Sequence, residues 1–222
     1  MKINLNNKKT RIVLSVSALL LIVAAVLLTI KICSVPEYYV LSEDEIAANT
    51  KGNEYNCEEQ RIFVESALSL VGKVTYFWGG KSYKIGWDDN WGEMRLVTSP
   101  GHSTSDTEQP FGLDCSGFVS WCYIQLGHTK QEMIDSLGNG TWNQWDKSSP
   151  ISKRDVRLGD IAFINKYPGN KGNHIGICVG FLESGEPLIA HCSNTMNRVV
   201  VSNCGDEFIY FRRPAFLAAS GN

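Results

Sequence analysis

Apolar and polar positions along this chain fall into a few clear blocks. Ile12 to Ile30 is free of charge and almost wholly apolar. As a helix it would span roughly 28 Å, about the thickness of a hydrocarbon core. From Cys57 to Val71, Ile62, Phe63, Ala67, Leu70 and Val71 share one helical face, and Gly72 ends the run. Phe118, Val119, Cys122 and Leu126 repeat at helical spacing up to Gly127, and Gln131 to Leu137 predicts a short helix. Val74 to Trp78 reads as a short strand stopped by Gly79-Gly80. The C-terminal part changes period. Ile161–Asn165, His174–Phe181, Pro187–Cys192, Arg198–Ser202 and Glu207–Arg213 are short, apolar or alternating, and separated by Gly, Asn and Pro. Helices first and strands afterwards predict an α+β domain with an antiparallel sheet or small open β-barrel.

The remaining stretches are less regular. Pro36 to Asn56 is polar and reads as a linker with at most a helical turn. Lys81 to Leu113 has no clear period and carries Trp87 and Trp91 around Asp88-Asp89, so it reads as a functional or mobile insert. Its tryptophans suit either stacking on a sugar or pinning the loop to the core. Trp142 and Trp145 lie in a Gly/Asn-rich loop. The expected organisation is a tail at 1–11, a transmembrane anchor at 12–32, a linker at 33–56, a domain at 57–216 with the insert at 81–113, and a tail at 217–222.

Charge sets the orientation. Lys2, Lys8, Lys9 and Arg11 precede the apolar run, whereas Lys31 is followed by Glu37, Glu43, Asp44 and Glu45. The positive-inside rule then puts the N-terminus in the cytoplasm and the domain outside the cell membrane. No small-x-small cleavage site follows, which favours a retained single-pass anchor over a cleaved leader. The net charge of −2 over 222 residues gives no reason to expect nucleic acid. Seven cysteines show neither a CxxC pair nor zinc-ligand spacing. Cys57, Cys192 and Cys204 are the candidates to pair outside the cytoplasm.

Asp114-Cys115-Ser116-Gly117-Phe118-Val119 places a cysteine at a helix start. Free N–H groups and the helix dipole there favour a thiolate. A thiolate nucleophile needs a base, and the base needs an orienting group. Of the four histidines, His102 lies in the insert and His128 follows Gly127, while His174 and His191 sit near strand ends. A hairpin through Phe181–Ser184 would set His174 opposite His191, with Gly176 leaving room for the Cys115 helix. There is no HExxH, so no metal and no cofactor are expected.

The Cys115 motif resembles that of the NlpC-type family of papain-like cell-wall peptidases. Tyr76-Phe77-Trp78-Gly79-Gly80, Leu158-Gly159-Asp160, His174-Ile175-Gly176-Ile177-Cys178-Val179-Gly180, Ile189-Ala190-His191-Cys192-Ser193 and Phe211-Arg212-Arg213-Pro214 resemble further family segments, in the family's order. The resemblance implies a papain-like fold with Cys115 as nucleophile, His174 as base and acid, and His191 as its orienting group. It also implies Tyr76 and Ser116 near the oxyanion, and Asp114 and Trp78 toward the substrate, with Asp114 holding a free amino end. The implied substrate is a peptidoglycan stem peptide cut after γ-D-glutamate. An N-acetylmuramoyl-L-alanine amidase with the same triad and a non-catalytic wall-binding or assembly module are the alternatives. The insert is longer than the family pattern, which bears on substrate preference.

Overall fold

The computed structural model describes residues 37–169 and 172–218, together with positions 16, 19, 21 and 22. Apart from Val16, Leu19, Leu21 and Ile22, the expected anchor at 12–32 and the tail at 1–11 lie outside the described residues. No helix among the described residues is long and apolar enough to cross a membrane.

From residue 37 onward the elements run α1 (Glu43–Thr50), α2 (Glu58–Ser69), β1 (Met94–Leu96), β2 (Glu108–Pro110), α3 (Cys115–Ile124), α4 (Lys130–Ser136), α5 (Thr141–Asp146), β3 (Ser148–Ile151), β4 (Ile161–Phe163), β5 (Ile175–Phe181), β6 (Pro187–Ser193), β7 (Arg198–Asn203), β8 (Tyr210–Pro214) and α6 (Ala215–Ala218). The fold is α+β. Six strands form one antiparallel sheet in the order β3-β8-β4-β5-β6-β7. It is an open sheet, not a barrel.

α3 is the central helix, and every one of its residues is buried. Its apolar side chains pack with Phe63 of α2 and with Ile161, Phe163, Ile175, Ile177 and Ala190 on one face of the sheet. The opposite face carries a smaller cluster built from Ala162, Cys178, Ile189, Phe208 and Phe211. Two-sided burial explains the near-continuous apolar runs of β4, β5 and β6, which alternation alone would not produce.

Several expectations need correction. Residues 37–56 are not a detached linker. Ser42 caps α1 through a capping box with Glu45. Just before it, Val40 bridges Ser202 and the Leu41 N–H donates to the Val201 carbonyl at 2.8 Å, so this segment covers the outer edge of β7. Val74 to Trp78 forms no strand beyond a single bridge from Tyr76 to Leu113. The insert is ordered around the β1–β2 hairpin, with Trp87, Trp91 and Trp121 in successive edge-to-face contacts at 4.8 and 5.4 Å. Residues 217–218, expected in the tail, end α6, whose Phe216 packs on Phe63 and Tyr123. α5 replaces part of the expected Gly/Asn-rich loop, and Gly140, at φ +87°, lets the chain turn into it.

The cysteines expected to pair are free, as are all six described. Each has another role. The Cys57 sulfur caps α2 by accepting from the Gln60 N–H at 3.4 Å. Cys192 donates to the Leu113 carbonyl at 3.1 Å, and Cys204 to Glu186 Oε1 at 2.7 Å.

Candidate active site

The loop before α3 is held by close backbone contact. The Asp114 N–H donates to the Gly80 carbonyl at 3.1 Å. A Cβ on Gly117 would lie 2.1 Å from that same Gly80 oxygen, and one on Gly80 would lie 2.3 Å from the Gly112 oxygen. The double glycine and Gly117 are therefore needed for one contact, in which residues 79–81 cross the start of α3. That crossing carries Lys81 to the helix start. Its ammonium donates to Asp114 Oδ1 at 2.6 Å and to Ser116 Oγ at 2.5 Å. The same Asp114 oxygen accepts from Ser116 Oγ at 2.8 Å and from the Gly117 N–H at 2.6 Å, making it the N-cap of α3.

Cys115 is the first residue of α3. Among the described residues, the N–H groups of Cys115 and Ser116 donate to nothing. The thiol lies 4.0 Å from Thr141 Oγ1 and has the Ile175 N–H directed at it. Ile175 adjoins His174 and begins β5, so the sulfur sits at the His174 end of that strand.

The expected thiolate is not the resting state. Burial, and then the Asp114 charge, push the Cys115 thiol up to about 11, opposed by Lys81. Full burial of the helix start outweighs the dipole that sequence reasoning relied on.

The imidazoles meet directly. His174 Nε2 is 2.8 Å from His191 Nδ1, with the rings edge-on. The pairing is not the one expected. Ile177 pairs with Ala190 and Cys178 with Ile189, a register that continues to Gly176 opposite His191. The two histidines are diagonal neighbours. Gly176 makes room for His191, not for the α3 helix: a Cβ there would lie 3.0 Å from the His191 Cβ.

Burial holds His174 down to about 4 and His191 well below its ordinary range. Both rings are neutral at neutral pH. His174 Nδ1 makes no hydrogen bond among the described residues. His191 Nε2 faces Tyr38 Oη at 3.2 Å and Ser202 Oγ at 3.4 Å. Phe208 packs on both rings, with centroids at 5.7 and 5.1 Å. A cavity of about 400 Å³ opens on the pair, walled by Tyr38, Ile164, Ser193, Met196, Glu207 and Phe208.

Tyr76 lies close enough that negative charge at Cys115 and Asp114, after burial, raises its phenol. Trp78 stands farther out, stacked on His102 at 5.0 Å and donating to the Pro100 carbonyl at 2.9 Å. His102 is held in turn by Thr104 and Asn194 at 2.8 and 3.1 Å. The insert thus borders the site and touches the turn after β6.

Residues 72–212 match the profile of the NlpC/P60 family. The chain belongs to this family. The bifunctional muramidase/DL-endopeptidase CwlT of Bacillus subtilis (strain 168) is 33% identical over 70 residues, which cover 31% of the chain. The match spans only 19% of that relative's length. Among solved structures, the P60 domain of an M. avium subspecies paratuberculosis antigen superposes with a TM-score of 0.50 at 18% identity, covering 72% of this chain and 97% of that one. This likeness concerns the fold. The peptidoglycan hydrolase RipB of Mycobacterium tuberculosis gives 0.49 at 19% identity, covering 78% and 72%. RipD of the same organism, a non-catalytic NlpC/p60 domain protein, gives 0.45 at 16%, covering 72% and 98%.

Within this NlpC/P60 domain, sequence reasoning located the thiol and both imidazoles. It missed Tyr38, Lys81, His102, Thr141 and Ser202. Nothing in the local spacing marks them, because each reaches the site from a distant segment. Only the glycines at 79, 80 and 117 hinted that Lys81 would pass close to α3.

Proposed function

We propose that this NlpC/P60 domain is a cysteine hydrolase of peptidoglycan stem peptides. The observation that supports it is the 2.8 Å contact from His174 Nε2 to His191 Nδ1. It leaves His174 Nδ1 unpaired on the residue next to the one whose N–H meets the Cys115 sulfur. In this reading Nδ1 takes the thiol proton as the sulfur attacks the carbonyl carbon. Attack and proton transfer are coupled, because burial opposes both a lone thiolate and a lone imidazolium. The free N–H groups of Cys115 and Ser116 receive the oxyanion, each such donor being worth about 3 kcal/mol in acyl transfer. The His174 imidazolium then protonates the leaving amine, and water releases the acyl group from the thioester. Tyr76 lines the sulfur side and Trp78 the rim.

The bond proposed is the one after γ-D-glutamate, in keeping with the DL-endopeptidase named in the Bacillus relative. Asp114 would hold a free amino end of a trimmed stem, but the Lys81 ammonium already faces that carboxylate at 2.6 Å. This favours stems whose amino end is still acylated. The apolar run at 12–32 and its basic N-terminal flank support a single-pass anchor with the domain outside the cell.

The test is incubation of the full chain with purified peptidoglycan and mass analysis of the fragments. A cut after γ-D-glutamate that disappears in Cys115→Ala is expected. Release of intact stems would mark an amidase instead. Cleavage that survives in Cys115→Ala, or none by the wild type, would end the cysteine-hydrolase reading.

A further inference from the structure

The chain of ring contacts does not stop at His191. For His174 Nδ1 to accept a proton, the neutral ring must carry its hydrogen on Nε2. That hydrogen then points along the 2.8 Å contact into His191 Nδ1, which must be a lone pair. His191 must therefore carry its own hydrogen on Nε2, and that hydrogen needs an acceptor. Two hydroxyls are there, Tyr38 Oη at 3.2 Å and Ser202 Oγ at 3.4 Å. Were His191 protonated on Nδ1 instead, it would donate to His174 Nε2 and force the hydrogen of His174 onto Nδ1. The base would then be blocked.

Tyr38 belongs to the stretch that the sequence assigns to a linker, yet it is the most tightly seated part of that stretch. The buried Asn203 side chain accepts from the Tyr39 N–H at 2.8 Å and donates to the Glu37 carbonyl at 2.9 Å, so it grips the backbone on both sides of Tyr38. The Asn203 N–H adds a bond to the Tyr39 carbonyl at 3.2 Å. Gly205, at φ +50°, lets the strand lie close: a Cβ there would sit 2.7 Å from the Tyr38 Cα. The groups facing the phenol are His191, Ser202 and the Glu207 carboxylate. Burial, and less so Glu207, hold its pKa above the ordinary value. It stays a neutral phenol, with a lone pair for His191 and a proton of its own to donate.

We infer that Tyr38 is a positioning residue of the hydrolytic site: its hydroxyl, with Ser202 in support, accepts from His191 Nε2 and so fixes the tautomers of both imidazoles. This rests on the proposed hydrolase reading, and it adds a fourth member delivered from outside the segment that the family profile matches.

The test uses the full chain labelled with 15N-histidine. There are only four histidines to assign. In the wild type at neutral pH, His191 Nε2 gives a protonated, pyrrole-type signal and Nδ1 an unprotonated one. Tyr38→Phe keeps the ring and removes the acceptor. A mixture of His191 tautomers is expected, with kcat reduced about 10-fold and KM unchanged, in the range seen when a group that orients a functional histidine is removed. Tyr38→Phe/Ser202→Ala is expected to lose about 100-fold and to show mostly the Nδ1–H form. Asn203→Ala, which keeps the phenol but loosens its strand, is expected to fall between wild type and Tyr38→Phe. A wild type that carries its hydrogen on His191 Nδ1, or a double variant with unchanged tautomer and rate, overturns the inference. The ring signals are read without substrate, so a wild type inactive on peptidoglycan would sink the hydrolase reading while the tautomer result still stood or fell by itself.

Discussion

Acidification tests the electrostatics of the site most directly. His174 is partly buried at the cleft and titrates at about 4 instead of 6.5. Because the folded pKa is depressed, the unfolded chain takes up the proton first. Stability is intact above about pH 6.5, falls as pH drops below it, and levels off below about 4, where both states are protonated. The full difference, 2.5 pKa units at 1.36 kcal/mol each, is about 3 kcal/mol, of which about 2 kcal/mol is lost by pH 5. His191, held low by burial and then by His174, acts in the same direction. The assay is urea denaturation at pH 7.5 and pH 5.0, for the wild type and for His174→Gln. Groups common to both cancel in the comparison, and the wild type should lose on the order of 2 kcal/mol more than the variant. Equal losses in the two proteins would refute the reasoning. So would a kcat/KM profile whose acid limb has its midpoint at pH 6.5, because the base is expected to stay competent down to about pH 4.

Other substitutions probe the contacts that build the site. Lys81→Met removes the ammonium that lowers the Cys115 thiol. Iodoacetamide labelling of Cys115 at pH 8 should slow, and cleavage of stems with a free amino end should gain on cleavage of glycan-linked ones; faster labelling would count against the assignment. Gly117→Ala forces a Cβ to within 2.1 Å of the Gly80 oxygen. It should cost about 1–3 kcal/mol in thermal or urea unfolding and lower kcat by shifting the loop that carries Lys81. Arg213 pairs with the buried Asp160 through two bonds of 2.8 Å. Arg213→Met should destabilise by about 3–5 kcal/mol, and Asp160→Asn in the same chain should restore much of it, as denaturation midpoints would show.

The order of helices and strands, and the identity of the thiol and the imidazole pair, were decided by local pattern. A helical repeat behind Cys115, period changes after Gly159 and two histidines on short apolar runs do not depend on where the segments end up. Register was not legible, because the slip that sets Gly176 opposite His191 depends on packing across both faces of the sheet. The charge state of Cys115 was not legible either. A helix start in water favours a thiolate, whereas the same start enclosed by β5, α5 and the residues before it favours the thiol. Tyr38, Lys81 and His102 lie 153, 33 and 92 residues from the partners they reach. Nothing in the neighbourhood of each along the chain announces that partner, since what joins them is the folded path of the backbone.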